Sequence, residues 1–261
     1  MLELYHNDMS VCSQKVRLTL HEKGLEPVEH HFNLRQSDQF DADYLKLNPN
    51  GVVPTLVVDG RPVIESTLIC EYLDETHPEP PLRPDDLIER AAMRRFANFP
   101  DQGLHAACGA ISSAIAFRPQ YLALSKDELA ANLAATPDLA RRERKRATIE
   151  HGMAAPAAVE AVNFYDRTLS KIETRLDGRD WLAGAAYSLA EANLTPYIVR
   201  LDHLQLAWMW DKRPRIASWY ERILGRRNFS GIADYLNHTY LTLMAERGSE
   251  VQSQVHDALA A

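Results

Sequence analysis

Four small groups of residues near the start of the chain have types and spacings that could do chemistry. Ser10-Val11-Cys12-Ser13 follows a short apolar run and opens a stretch of helical spacing. Backbone N–H groups and the positive end of a helix at such a place favour a bound anion or thiolate. From these residues alone the plainer reading leads, since Ser N-caps are common: Ser10 as an N-cap and Cys12 as a small buried side chain. Val53-Pro54, after Val52, stands at the head of a strand, where proline belongs only at an edge or a bend. A cis bond there would turn the Val53 N–H and C=O outward for a peptide to pair with, although most X–Pro bonds are trans. Glu65-Ser66 falls where a strand hands over to a helix. The serine hydroxyl and the free N–H groups suit a carboxylate and Glu65 an ammonium; a plain N-cap beside an exposed glutamate is the alternative. Gln39, in an irregular polar stretch, says nothing by itself.

The elements that must position these groups run in the order β-α-β-α-β-β-α. Residues 2–5 form a strand candidate, ended by His6-Asn7-Asp8, and the helix capped by Ser10 carries Val16 and Leu20 and stops at Gly24. Val28, His30, Phe32 and Leu34 recur at period two, a strand pattern. Tyr44-Leu45-Lys46-Leu47 is closed by the breaker Asn48-Pro49-Asn50-Gly51, and residues 53–58 and 62–64 flank Asp59-Gly60 as a hairpin. Ser66 is read as the cap of a helix through Leu68, Ile69, Tyr72 and Leu73. Pro78, Pro80, Pro81 and Pro84 then mark a stiff linker. Beyond it strand periodicity is absent. Residues 91–115 read as one long apolar-periodic segment, 163–176 and 215–224 as further helices, and Ser188-Leu189-Ala190-Glu191 as a capping box opening a buried one. The expected organisation is an α/β unit over residues 1–77, a linker at 78–86, an all-α unit over 87–247 and a loosely held tail at 248–261.

Composition excludes several classes. The chain has 261 residues, 46% hydrophobic and 25% charged, as ordinary globular proteins do. Lys+Arg 29 against Asp+Glu 36 gives a net charge of −7, where a nucleic-acid binder shows a basic surplus. No apolar run is long enough to span a membrane, and the start, Met1-Leu2-Glu3-Leu4, does not read as a signal peptide. Cys12, Cys70 and Cys108 lie too far apart for a zinc site or a disulfide framework, so no metal is expected and a reducing cytoplasm is the simplest home.

Taken together the motifs carry a resemblance. Residues 4–24, from Leu4-Tyr5 through Ser10-Val11-Cys12-Ser13-Gln14-Lys15-Val16-Arg17 to Gly24, resemble the first strand and helix of theta, zeta and related glutathione transferases. Asn48-Pro49-Asn50-Gly51-Val52-Val53-Pro54-Thr55-Leu56 and Ile64-Glu65-Ser66-Thr67-Leu68-Ile69-Cys70-Glu71-Tyr72-Leu73 resemble the next two signatures in order and spacing. Tyr187-Ser188-Leu189-Ala190-Glu191-Ala192-Asn193-Leu194 resembles the family's later capping box, with Glu191 where Asp is usual. The similarity runs from residue 2 to about 236. It implies a thioredoxin-like N-terminal domain followed by a helical-bundle C-terminal domain, glutathione as co-substrate, a small hydrophobic electrophile as second partner, and a cytoplasmic homodimer without nucleic acid, membrane or metal.

Position by position, Ser10 falls where theta and zeta enzymes keep a catalytic serine and omega and beta enzymes a cysteine, and Cys12 matches a cysteine of the zeta-like pattern. With Ser13 at the second sulfur position of the glutaredoxin pair, disulfide exchange is not implied. Val53 before Pro54 resembles the residue whose backbone pairs with the cysteinyl part of glutathione, Glu65 and Ser66 the γ-glutamyl contacts, and Gln39 a glycine-carboxylate contact; Val52 departs from the lysine of theta enzymes. A narrower resemblance, carried by residues 114–153 and their run Arg141-Arg142-Glu143-Arg144-Lys145-Arg146, is to bacterial glutathione-dependent β-aryl etherases, in whose alignment Ser13 falls on the active-site serine. Which of Ser10 and Ser13 meets the sulfur therefore stays open. The charge run by itself reads as a solvated helix face. His105, Cys108, Phe117 and Tyr121 are the candidates for an electrophile pocket, with plain core packing as the alternative. The expected activity is a glutathione transferase that activates the thiol. A β-aryl etherase acting on lignin-derived aromatics, or a non-catalytic interaction module on the same fold, are its rivals.

Overall fold

The computed structural model describes residues 1–136 and 138–260. Pro137, inside the extension at 114–153, and Ala261, the end of the expected tail, lie outside them. The chain divides into two compact units that interleave in sequence. Unit 1 takes Met1–Asn98, Gly178–Pro196 and Ser218–Asn237, and unit 2 takes Phe99–Asp177, Tyr197–Ala217 and the residues from His238 onward.

Unit 1 begins with β1 (Leu2–His6), α1 (Val11–Lys23) and β2 (Val28–His31), then α2 (Tyr44–Leu47), β3 (Thr55–Val58), β4 (Arg61–Val63) and α3 (Ser66–Thr76). This is the order expected from the sequence. The sheet runs β2-β1-β3-β4, with β1 parallel to β2 and antiparallel to β3, and β3 antiparallel to β4. Leu4 faces Leu56 across the ladder, and both are fully buried with Val16, Ile69 and Leu73. The edge strand β2 is shorter than its alternation implied and mostly exposed. Its His30 stacks on Tyr5 at 4.3 Å and meets Glu3 at 2.9 Å instead of entering a core. Ser10 caps α1, accepting from Ser13 N–H at 3.3 Å, and Gly24 closes the helix at φ 63°, a left-handed conformation that suits glycine.

The proline-rich linker is fastened down. The buried Asp74 of α3 accepts from Leu82 N at 2.8 Å, Arg83 Nη1 at 2.8 Å and Lys23 Nζ at 2.5 Å. The segment expected to be one helix over 91–115 is broken. Helix α4 (Leu87–Ala97) is followed by π-type turns at Pro100–Leu104 and Ser113–Phe117 around α5 (His105–Ser112). Pro100 has no N–H to give, and Gly103 sits at φ 129°.

Unit 2 continues with α6 (Arg118–Leu122), α7 (Lys126–Ala134), α8 (Leu139–His151) and α9 (Pro156–Arg175). Helices α10 (Leu189–His203) and α11 (Pro214–Leu224) follow, then α12 (Ser230–Ala233) in unit 1 and α13 (His238–Glu250) and α14 (Gln252–Ala260) in unit 2. The capping box forms as read. Glu191 accepts from Ser188 N at 3.0 Å and Ser188 Oγ at 2.7 Å, and also from Leu182 N at 2.6 Å. The expected loose tail is corrected: residues 252–260 are helical, Val255 and Ala258 are buried, and Asn163 Nδ2 donates to Ala258 O at 2.9 Å. Apolar residues at helical spacing, Val251, Val255 and Ala258, supply that face.

His6, at the end of β1, is buried, and Arg17 Nη1 lies 3.0 Å from its Nδ1. A guanidinium only donates, so the ring must present a bare Nδ1 and stay neutral. Burial, and then the Arg17 charge, hold its pKa down at about 3. The unfolded chain, with an ordinary histidine near pH ~6.5, takes up this proton first on acidification. Stability contributed by neutral His6 is therefore complete above the unfolded value and drains away as pH falls toward the folded one, by up to ~1.4 kcal/mol per pH unit. Urea midpoints of wild type and His6→Gln should converge between pH 7 and 5; a difference that does not change with pH refutes this account.

Candidate functional site

The groups picked out at the start of the sequence all lie in unit 1. At the start of α1 the Ser10 hydroxyl, partly exposed, accepts from Ser13 N–H, so its own proton is directed elsewhere. Ser13 is fully buried, and its Oγ accepts from Asn7 N–H at 3.3 Å. Cys12 lies between them, partly exposed. By contrast, burial pushes the Cys70 thiol up to about 11. The first N–H groups of a helix have no partner within the helix, so the Ser10 end of α1 offers donors and a positive potential.

The second group is built on a carbonyl clamp. Val52 O accepts from Tyr44 Oη at 2.6 Å and from Asn48 Nδ2 at 3.0 Å. Thr55 Oγ1 lies 2.8 Å from Tyr44 Oη and also accepts from Asn48 Nδ2 at 3.0 Å. The peptide ahead of Val53 is thus held by buried side chains on both sides of the bend, and Val53–Pro54 is cis. Burial raises the Tyr44 phenol, which keeps it a neutral donor. Gly51 adopts φ 58°, and a Cβ there would lie 2.7 Å from the Phe40 ring and 3.4 Å from Gln39 O. That close approach brings Gln39 to the Val52–Pro54 segment. Its Oε1 is buried with no hydrogen-bond partner among the described residues.

The third group is joined to the other two. Glu65 holds φ 69°, ψ 109°, an uncommon conformation for a side-chain-bearing residue, and Asn50 Nδ2 donates to its Oε1 at 3.4 Å. Ser66 is not the cap read from the sequence: it is the first residue of α3, and its hydroxyl accepts from Lys15 Nζ at 3.0 Å. Lys15 also donates to Thr67 Oγ1 at 2.7 Å and is fully buried. Sequence reasoning missed Lys15 and Asn50. The signal for Lys15 was a lysine inside the stripe Val11, Lys15, Leu18, three residues on one helix face.

In unit 2 the electrophile candidates have separate surroundings. His105 is exposed and lies 3.3 Å from Tyr197 Oη through Nδ1, the two rings edge to face. Cys108 is buried beside the Tyr165 hydroxyl, whose pKa is raised by burial and by that neighbour. Phe117 meets Tyr240 edge to face at 6.5 Å. Lys145 Nζ lies 4.7 Å from the centre of the Tyr121 ring and donates to Asn132 at 2.6 Å. Burial, then Arg141, lower that ammonium to about 8. The rest of the charge run is mostly exposed on α8, as a solvated face is.

Residues 9–76 match the family model of the glutathione S-transferase N-terminal domain, and residues 152–222 that of the C-terminal domain. The protein LigF of Sphingobium sp. (strain NBRC 103272 / SYK-6) is 30% identical over 192 residues, 73% of this chain and 75% of that protein. The chain belongs to the glutathione S-transferase family. The crystal structure of the β-etherase LigF superimposes with a TM-score of 0.80 at 27% identity, covering 90% of this chain and 99% of that one. Glutathione S-transferase Z1 of Arabidopsis thaliana is 50% identical over 91 residues, 34% of this chain and 41% of that protein. Tetrachloro-p-hydroquinone reductive dehalogenase of Sphingobium chlorophenolicum is 28% identical over 238 residues, 87% and 94% of the two chains.

The fold is that of a glutathione transferase, and the chain is an enzyme of this type. Among the described residues no group of three or more His, Cys, Asp or Glu side chains could hold a metal ion. No described helix is long and apolar enough to cross a membrane. The transferase's Val52–Pro54 bend depends on Gly51, whose left-handed backbone and contact with Phe40 both exclude a side chain. Gly51→Ala should lower stability by at least ~1–2 kcal/mol in thermal unfolding, the cost of the left-handed conformation alone, and loosen the bend. An unchanged melting temperature would refute the dependence of the bend on the left-handed backbone of Gly51.

Proposed function

We propose that this transferase binds glutathione in unit 1 and uses the Ser10 hydroxyl to hold its sulfur as a thiolate for attack on a small hydrophobic electrophile. The observation that carries the reading is the contrast between two serines: each hydroxyl accepts one backbone N–H and keeps its proton, but Ser10 is partly exposed while Ser13 is fully buried. Cys12, beside them, is proposed to border the sulfur. A free thiol ionises near ~8.5 and is mostly protonated at neutral pH. One hydrogen bond to the charged sulfur, worth ~1.5–3 kcal/mol, and the helix terminus, worth ~0.3–1, suffice to bring it down by ~2 units. No general base is required.

In this reading the Val53 backbone ahead of Pro54 pairs with the cysteinyl part, Glu65 and Ser66 take the γ-glutamyl end, and Gln39 takes the glycine carboxylate. In that contact the Gln39 N–H₂ would be the donor, since its amide oxygen only accepts. His105, Cys108, Phe117 and Tyr121 of unit 2 are proposed to select the electrophile. A second reading, cleavage of aryl ethers by the same thiolate, is favoured by the likeness to the β-etherase LigF. Release of a phenol from a model aryl ether separates the two, and its absence retires the etherase version.

The enzyme is proposed to work as a cytoplasmic homodimer. Leu68 on α3 and Leu87 and Ile88 at the start of α4 are 56%, 74% and 79% exposed, and Arg94 meets Glu71 at 3.4 Å where these helices pass. Apolar side chains so exposed suit an isologous contact. Sedimentation equilibrium should give a dimer for wild type and monomer for Leu87→Asp/Ile88→Asp, whereas a monomeric wild type would defeat the proposal.

Glutathione titrated calorimetrically in two buffers of different ionisation enthalpy should bind with release of a proton. Ser10→Ala should raise the pKa of bound thiol by ~1–2 units, read from thiolate absorbance against pH, and cut turnover about 10–100-fold. Ser13→Ala should leave that pKa in place. The opposite pattern would hand the role to Ser13.

A further inference from the structure

Lys15 has no part in the thiol chemistry, yet its side chain is fully buried. Nζ donates to Ser66 Oγ at 3.0 Å and to Thr67 Oγ1 at 2.7 Å, and among the described residues it makes no ion pair. Two other buried charges of α1 are ion-paired, Lys23 with Asp74 at 2.5 Å and Glu22 with Arg226 at 2.7 Å, while Arg17 donates to the backbone carbonyls of Asn7, Asp8 and Gly231. Two neutral hydroxyls leave the ammonium of Lys15 without a compensating negative charge, a costly arrangement inside a protein.

The direction of one proton follows. An ammonium only donates, so the Ser66 oxygen accepts from Lys15 and its own O–H must point to a different acceptor. Ser66 is the first residue of an eleven-residue helix whose leading N–H groups lack acceptors within the helix. Next to it Glu65 supplies a carboxylate that suits an ammonium. A hydroxyl polarised from behind by a cation is a stronger donor than an isolated one. An α-amino acid group, with its carboxylate on Ser66 and its ammonium on Glu65, completes the charges.

We infer that Lys15 is the positioning residue for the amino-acid end of the ligand: it fixes the Ser66 hydroxyl as a donor and places a buried positive charge behind the carboxylate bound there, so that the site selects ligands that carry that carboxylate. The inference rests on the reading that glutathione binds in unit 1 with its γ-glutamyl end at Glu65–Ser66. Lys15 itself touches no ligand atom.

The test compares glutathione with its analogue lacking the γ-glutamyl α-carboxylate, γ-aminobutyryl-cysteinylglycine, on intact protein by calorimetry. Wild type should prefer glutathione; Lys15→Met should weaken glutathione binding roughly 10–100-fold, leave the analogue within about threefold, and so erase the preference. Lys15→Arg should restore most of it. A purely structural lysine would weaken both ligands alike, and that outcome overturns the inference. In ¹⁵N-lysine-labelled wild type, which needs no altered fold, the Lys15 ammonium resonance, assigned by its absence in Lys15→Arg, should move on saturation with glutathione but not with the analogue. An unmoved resonance also overturns it. Failure of wild type to bind glutathione at all would instead remove the reading beneath it, and with it the carboxylate the inference needs.

Discussion

Helix α1 is buried almost all round, although Lys15, Arg17, Glu22 and Lys23 lie along it. A buried charge must meet an oxygen or an opposite charge inside the protein, and removing one partner of such a pair costs ~3–5 kcal/mol. Each of these four residues therefore fixes the place of another segment. Lys15 ties down the first turn of α3, and Lys23 reaches Asp74 near its end and Pro80 O in the linker. Arg17 donates to Asn7 O, Asp8 O and Gly231 O, and Glu22 accepts from Arg226 and Asn228. Gly231 lets α12 approach so closely that a Cβ would stand 2.9 Å from Arg17 O. Unit 1 recruits late segments of the chain because α1 has charges that early segments do not satisfy.

The same device sets the chemistry of the proposed site. A serine hydroxyl can rotate freely, which makes it an indifferent donor or acceptor until something occupies its lone pairs. Ser13 N–H does this for Ser10 and Lys15 does it for Ser66, so both hydroxyls keep their protons for what arrives from outside. At Val52 the logic is inverted: Tyr44 and Asn48 saturate the carbonyl, and the bend that follows is held without help from a ligand. Rigid donors placed in advance lose little freedom on binding, which is where affinity for a short flexible peptide is otherwise lost.

Much of this was legible in the sequence and some was not, for one reason. Strand alternation, Gly24, the hairpin at Asp59-Gly60 and the Ser188–Glu191 box are local signals, and the structure contains the elements they announced. Periodicity assumes that charged residues face water. Ser66 reads as a cap from its type and place alone, and its bond to the buried Lys15, 51 residues away, leaves no local signal. The same assumption made a tail of residues 248–261, where few apolar side chains are spread thinly over helical turns. It also joined residues 91–115 into one helix, since Pro100 and Gly103 interrupt the backbone without interrupting the apolar stripe. Ser10 and Ser13 were indistinguishable by type and by family resemblance. Burial separates them, and burial is a property of the packed helix, not of the motif.

The proposed division of labour separates the thiol, which is common to glutathione chemistry, from the group that the thiol attacks. At sulfur, displacing a phenolate, displacing a halide and adding to an activated carbon begin alike, with a thiolate held ready near neutral pH. What differs is the departing or accepting group and how its charge is met, and that is a matter for other residues. In this chain the candidates lie in unit 2, where Tyr121 carries the Lys145 ammonium against its ring and burial has lowered that ammonium's pKa to about 8. A phenolate leaving group needs a donor or a cation, whereas simple addition of sulfur to carbon needs neither. Under the proposed reading, the choice between ether cleavage and transfer would turn on how a developing oxyanion is met, a question separate from how Ser10 holds a thiolate.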